Sequence, residues 1–131
     1  MLASLTIVSE PGTIEQVTAG AALGEVTSRA ANLARDLANN PPGHLTATRM
    51  GNVGLDIADD YGLKVEVFDK KQLIELGCGG LLGVNAGSAE EPRMIKMVYT
   101  PEGTPTSHVA LVGKGIMYDA GGISLKPSDS M

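Results

Sequence analysis

Cysteine, aromatic side chains and long apolar runs are all scarce in this 131-residue chain. The sequence holds a single cysteine, Cys78, has no tryptophan, and is only 3% aromatic. One cysteine cannot form a disulfide within the chain, which is typical of proteins from a reducing compartment. No apolar run approaches the roughly 20 residues of a membrane-spanning helix, and no signal peptide is recognisable. These features predict a soluble, cytoplasmic protein with no membrane partner.

Positively charged residues are also few. Ten Lys and Arg residues stand against 15 Asp and Glu residues, which gives a net charge of −5. Nucleic acids are bound by basic surfaces and by aromatic stacking platforms, and the sequence offers neither. We therefore expect no nucleic-acid partner. The acidic group Asp56, Asp59 and Asp60 is interpreted as the solvated side of a helix.

Helical signals dominate the first third of the chain. The composition, 43% hydrophobic and 19% charged, is that of one ordinary globular domain. A short strand is predicted at residues 2–8. Thr13 and Gln16 then have the spacing of a capping box at the start of a long helix. The two prolines at 41–42 end that helix, because proline cannot continue it.

Helix and strand signals alternate in the rest of the chain. Thr46 is expected to cap a second helix that stops at Gly62, and residues 63–67 alternate as a half-buried strand. A capping-box pattern at Asp69 starts a short helix that ends at Gly77. Three more strands are predicted, at residues 80–86, 93–100 and 108–113. The alternation favours an α/β fold with a mixed, mostly parallel sheet flanked by helices.

Two glycine-rich stretches superficially resemble nucleotide-binding loops, and both fail. Residues 113–115 read Gly-Lys-Gly but lack the upstream glycine and the following Ser or Thr of a phosphate-binding loop. Residues 77–83 miss the dinucleotide-binding spacing by one position and lie in the wrong structural context. His44 and His108 have no metal-ligand spacing around them and are expected to be structural. A nucleotide cofactor is therefore not expected.

The stretch from residue 113 to residue 127 is the strongest candidate site. It holds two lysines and an aspartate among glycines, directly after an apolar segment. In α/β folds, ligands bind in loops that follow the ends of buried strands. From the residues alone, two interpretations stay open. The stretch is either such a ligand-binding loop or a glycine-rich turn with solvent-facing lysines.

The same stretch closely resembles the signature of the leucyl aminopeptidase (cytosol aminopeptidase) family. The family pattern is V-G-K-G-x-x, then Phe or Tyr, Asp, Ser or Thr, and G-G-x-S-L-K-P. The sequence from Val112 to Pro127 follows this pattern except at Ala120. Upstream segments match in order at residues 34–37, 40–42, 45–46, 62–67, 80–84, 87–88 and 91–93. The resemblance covers residues 30–131 and implies the N-terminal part of a catalytic domain.

The resemblance implies a role for each charged residue of the stretch. Members of the family carry two divalent metal ions, such as manganese or zinc. By matching positions, Lys114 corresponds to a lysine that ligates one metal and Asp119 to an aspartate that bridges both. Lys126 corresponds to a lysine that is not a ligand and contacts the carbonyl oxygen of the scissile bond. The implied reaction is hydrolysis of the first residue from a peptide with a free N-terminus. The implied assembly is a homo-oligomer, a hexamer in the complete family.

The implied site needs more ligands than these 131 residues offer. We expect residues 1–12 to be a residual N-terminal strand or linker, and residues 13–131 to be the first part of a catalytic domain truncated at its C-terminus. The family's later ligand motifs, including N-T-D-A-E-G-R, do not occur in the sequence. Asp129 is only a weak candidate for a third ligand. Because a metal site needs several ligands in fixed geometry, the chain alone is expected to be inactive. The alternatives are a non-catalytic remnant that binds a partner and a small-ligand module that uses residues 113–127.

Overall fold

The computed structural model describes residues 4–118 and residue 129. The chain divides into two compact units, Met1–Asn40 and Pro41–Met131. The first unit contains a 3-10 turn at Pro11–Thr13 and helix α1 at Ile14–Asn39. The second contains, in chain order, α2 at Ala47–Tyr61, β1 at Lys64–Phe68, α3 at Lys70–Glu75, α4 at Gly79–Asn85 and β2 at Met94–Val98. The expected boundary after residue 12 stays a prediction.

Helix α1 ends where the prolines require and begins differently from the expectation. Its last residue is Asn39, and Asn40 is already extended, with φ −74° and ψ 131°. At the start, the hydroxyl of Thr13 donates to the carbonyl of Glu10 at 2.9 Å and does not cap the helix. The predicted capping box is therefore wrong, because the preceding turn takes up the hydroxyl. Although α1 has 26 residues, neither it nor any other helix in the described part of the chain is apolar enough to cross a membrane.

The ends of the next helices follow local hydrogen-bonding chemistry, as the sequence predicts. The Thr46 hydroxyl accepts a bond from the Arg49 backbone N–H at 3.3 Å, and Gly62 ends α2 in the left-handed region with φ 63°. Asp69 and Gln72 form a reciprocal capping box at the start of α3. The Asp69 carboxylate accepts from the Gln72 N–H at 2.8 Å, and the Gln72 side chain accepts from the Asp69 N–H at 2.9 Å. The predicted caps of α2 and α3 are confirmed.

The two described strands form an antiparallel pair that α2 covers on one face. The register places Val67 opposite Ile95. Helix α2 approaches this pair through two buried glycines. A Cβ added at Gly54 would lie 2.8 Å from Cγ2 of Ile95, and one at Gly51 would lie 3.2 Å from Cγ1 of Val67. The absence of side chains at these two positions therefore sets the distance between the helix and the sheet.

The second unit has a small hydrophobic core. Leu73 of α3 is fully buried, and Leu45, Ala58 and Pro92 are buried as well. On the strands, Glu66 and Lys96 pair at 2.8 Å, with both side chains more than half exposed. An exposed ion pair of this kind contributes less than about 1 kcal/mol, so burial around Leu73 and α2 dominates the stability of this unit.

Three of the strand predictions need correction. Residues 80–86 lie almost entirely in helix α4, where the Leu82 N–H donates to the Cys78 carbonyl at 3.1 Å. A short apolar run is compatible with either structure, and its pattern cannot distinguish them. Residues 4–8 and 108–113 have no strand structure. The predicted strands at 63–67 and 93–100 are confirmed as β1 and β2.

The arrangement is α/β, with short helices beside a sheet. The expectation of a mixed, mostly parallel sheet was based on the alternation of helix and strand signals. Among residues 4–118, the strand pairing is antiparallel, and this part of the chain holds no parallel pair. Residues 80–86 lie almost entirely in a helix, so one of the alternating strands that predicted a parallel sheet is absent.

Candidate functional site

The candidate loop is described only in its first half. Lys114 lies in the segment after β2, and its side chain is exposed. Asp119 and Lys126 lie outside the described residues, so the structure places neither of them. Whether the three side chains come together stays a prediction.

The segment that leads to Lys114 is apolar and faces solvent. Val109 is 83% exposed, Leu111 95% and Val112 96%. A strand needs a neighbour to accept and donate its backbone hydrogen bonds, and this segment pairs with no described strand. The strand predicted at 108–113 is therefore absent because its partner is absent from the described part of the chain.

Glycines leave open space on both sides of Lys114. A Cβ added at Gly113 or Gly115 would meet no heavy atom within 4 Å. The backbone of this stretch is therefore accessible to a ligand or to another part of a protein. This openness is compatible with both interpretations of the loop, as a binding loop and as a solvent-facing turn.

The described residues alone do not form a metal site. They contain no group of three or more His, Cys, Asp or Glu side chains placed to hold a metal ion. The chemistry of the implied donors nevertheless fits a divalent cation. Lys114 offers an amine nitrogen and Asp119 a carboxylate, and nitrogen and oxygen donors suit zinc or manganese. The described part of the chain contributes one such donor, Lys114.

The other sequence candidates occupy structural or solvent-facing positions. Asp56, Asp59 and Asp60 are all exposed on α2, which confirms the solvated helix face. The His44 carbonyl accepts a bond from the Arg49 guanidinium at 2.8 Å, a contact that involves the backbone of His44. Cys78 is a half-buried free thiol at the start of α4.

A polar contact between α2 and the loop before β2 was not foreseen from the sequence. The Thr48 hydroxyl donates to the Glu90 carboxylate at 3.3 Å, and the Asn85 amide donates to the Glu90 carbonyl at 3.1 Å. Ser88 accepts from the Glu90 N–H at 3.1 Å. Thr48 and Glu90 are 42 residues apart, and no local pattern signals a contact over that distance. Through these bonds the loop that enters β2 is held at the first turn of α2.

Lys114 lines neither of two shallow depressions found in the described residues. One, of about 430 Å³, lies at the C-terminal end of α2 and is lined mainly by Leu55, Ala58 and Leu63. The other, of about 450 Å³, lies beside α3 and includes Lys70, Ile74 and Glu91. Neither depression includes a residue of the candidate loop.

Comparison with known proteins gives concordant results. The sequence profile of the cytosol aminopeptidase family, catalytic domain, matches residues 32–131. A probable cytosol aminopeptidase from Chlorobaculum tepidum is 43% identical over 118 residues, which covers 90% of this chain and 23% of that protein. A crystal structure of an aminopeptidase from Trypanosoma brucei is similar with a TM-score of 0.60 at 42% identity. That similarity covers 71% of this chain and 18% of the other, and it confirms the α/β fold class as that of a partial domain.

The chain corresponds to a small part of each relative. It spans less than a quarter of the length of the relatives that it matches. The profile match includes the whole of the candidate loop, from Val112 to Pro127. The profile match therefore includes the loop with Lys114, Asp119 and Lys126, and the later motifs of the family lie outside the compared residues.

Proposed function

Because the chain belongs to the cytosol aminopeptidase family, a family of peptidases, we propose that it supplies the first part of an active site for removing N-terminal residues from peptides. The observation that carries the proposal is the sequence of the candidate loop. Residues 112–127 match a long signature at all positions but Ala120, within a region that the family profile covers. A match of that length is far more specific than a glycine-rich turn with scattered lysines.

We propose that Lys114 and Asp119 hold a pair of divalent metal ions, manganese or zinc. A carboxylate can span two cations a few Å apart and offset their charge. A lysine binds a metal through its neutral amine, so Lys114 must lose its proton on binding. When bound, the metal pair would supply Lewis-acid activation of water and a coordination site for the neutral free amine of the substrate. The remaining ligands belong to motifs that these 131 residues do not contain.

Lys126 has a different proposed role, because it keeps its proton. A charged ammonium beside the scissile carbonyl stabilises the negative charge that develops on the oxygen as the bond is attacked. Stabilisation that grows in the transition state speeds the chemical step. Lys126 is therefore expected to affect turnover more than metal binding, whereas Asp119 is expected to affect both.

The exposed position of Lys114 leaves room for the rest of the proposed site. Its side chain is open to solvent, and glycines on both sides leave room for the rest of a site to approach. The apolar residues directly before it, Val109 to Val112, are exposed as well. These features suit a loop that is completed by further protein.

The same exposed segment favours a second candidate, a non-catalytic module that binds a partner chain. A contiguous apolar surface in a soluble protein is a common mark of an interaction site. The two candidates differ in what Asp119 does. In the enzyme Asp119 is essential for metal binding, and in a partner-binding module its replacement leaves function intact.

A chimera tests the proposal directly. Residues 30–131 would replace the matching segment of the Chlorobaculum tepidum aminopeptidase, which supplies the remaining motifs. We expect the chimera to bind two divalent ions per chain and to hydrolyse a leucine-arylamide substrate. Asp119→Ala should abolish both properties. Asp60→Ala, an exposed carboxylate on α2, is the matched control and should change neither.

The metal content and the folding of each chimera must be measured before its hydrolytic activity is interpreted. Circular dichroism and gel filtration would establish that each chimera is folded, and elemental analysis would count the metal ions. A folded chimera that contains both metals but has no hydrolytic activity would contradict the enzyme proposal. Full activity and full metal content in Asp119→Ala would instead contradict the role of Asp119.

Location, assembly and domain limits complete the proposal. We propose a cytoplasmic protein that acts on peptides with a free N-terminus and assembles as a homo-oligomer, with a hexamer as the expected form. Residues 13–131 are proposed to form the first part of the catalytic domain. The family resemblance supports these statements, and analytical ultracentrifugation of the chimera tests the assembly. A monomer at micromolar concentration would contradict the homo-oligomer.

A further inference from the structure

We draw no further inference here: the strongest candidate, the exposed apolar patch of Val109, Leu111 and Val112 in the segment after β2, carries nothing beyond the proposed function, because nothing in the described part of the structure shows what covers it.

Discussion

Gly54 offers the most direct test of how the second unit is packed. A Cβ at this position would lie 2.8 Å from Cγ2 of Ile95 and 3.6 Å from its Cδ1. Carbon atoms in contact normally stay about 3.5–4.0 Å apart. Gly54→Ala therefore forces α2 away from β2 or moves the Ile95 side chain. Because the contact is with the Ile95 side chain on β2, the strain acts where α2 packs on the sheet.

The expected magnitude comes from two opposing effects. Alanine is favoured over glycine inside a helix by about 1 kcal/mol. Overpacking a well-packed contact costs about 1–3 kcal/mol. We expect Gly54→Ala to lower the free energy of unfolding by up to about 2 kcal/mol. Gly51→Ala, with a 3.2 Å approach to Val67, should have a smaller effect.

Gly24→Ala is the matched control, because a Cβ there would meet no heavy atom within 4 Å. Only the helix-propensity gain applies to it, so α1 should be stabilised by up to about 1 kcal/mol. Urea unfolding followed by circular dichroism gives the overall effect. Hydrogen exchange of the α2 amides shows whether the loss is local to that helix.

A double-mutant cycle with Ile95→Ala tests whether the effect of Gly54→Ala comes from its contact with Ile95. Ile95→Ala removes the Cγ2 atom that the new methyl group would contact. The double variant should be more stable than the sum of the single effects predicts, by about 0.5–3 kcal/mol. Strict additivity, together with unchanged exchange in Gly54→Ala, would refute the close approach between α2 and β2.

The remaining predictions concern capping, chemistry and association. Thr46→Ala should lower the free energy of unfolding by about 1 kcal/mol because a cap bond is lost, whereas Thr13→Ala should lower it much less. Equal losses for the two variants in urea unfolding would contradict the assigned caps. In the chimera, Lys126→Ala should keep both metals and slow turnover about 10²–10³-fold, with Lys71→Ala of α3 as the unaffected control. Wild-type turnover in Lys126→Ala would overturn its role. The 131-residue chain alone should show no arylamide hydrolysis. It should also self-associate through its exposed apolar residues, and Leu111→Lys should reduce that association in sedimentation. Turnover proportional to chain concentration, or a compact monomer without the substitution, would contradict these expectations.

The candidate site was predicted from sequence almost entirely through its motif. The order of Lys114, Asp119 and Lys126 in the signature carries the assignment, and of these the structure describes Lys114 alone. Composition and spacing left a binding loop and a solvent-facing turn equally open. The reason is that the ligands of a metal pair converge from distant parts of a chain, and spacing within one loop says little about distant partners.

The sequence by itself determined the features that depend on neighbours a few residues away. The caps at Thr46, Gly62 and Asp69 are correct, because a hydroxyl, a glycine or a carboxylate meets its backbone partner within one helical turn. The end of α1 before the two prolines has the same local origin. The exposure of the acidic side chains on α2 also follows from the sequence, since isolated charges stay in water.

Only the tertiary structure decided the features that depend on distant contacts. The apolar run at 79–85 folds as a helix although its pattern allows a strand, and β1 pairs with β2 antiparallel across 30 residues. Residues 108–113 lack a strand because no described strand lies beside them. The close approach at Gly54 likewise exists only once Ile95 is in place. The strand pairing and the close approach at Gly54 each depend on a partner that local sequence does not specify, because strand pairing and helix packing join residues that are far apart in the chain.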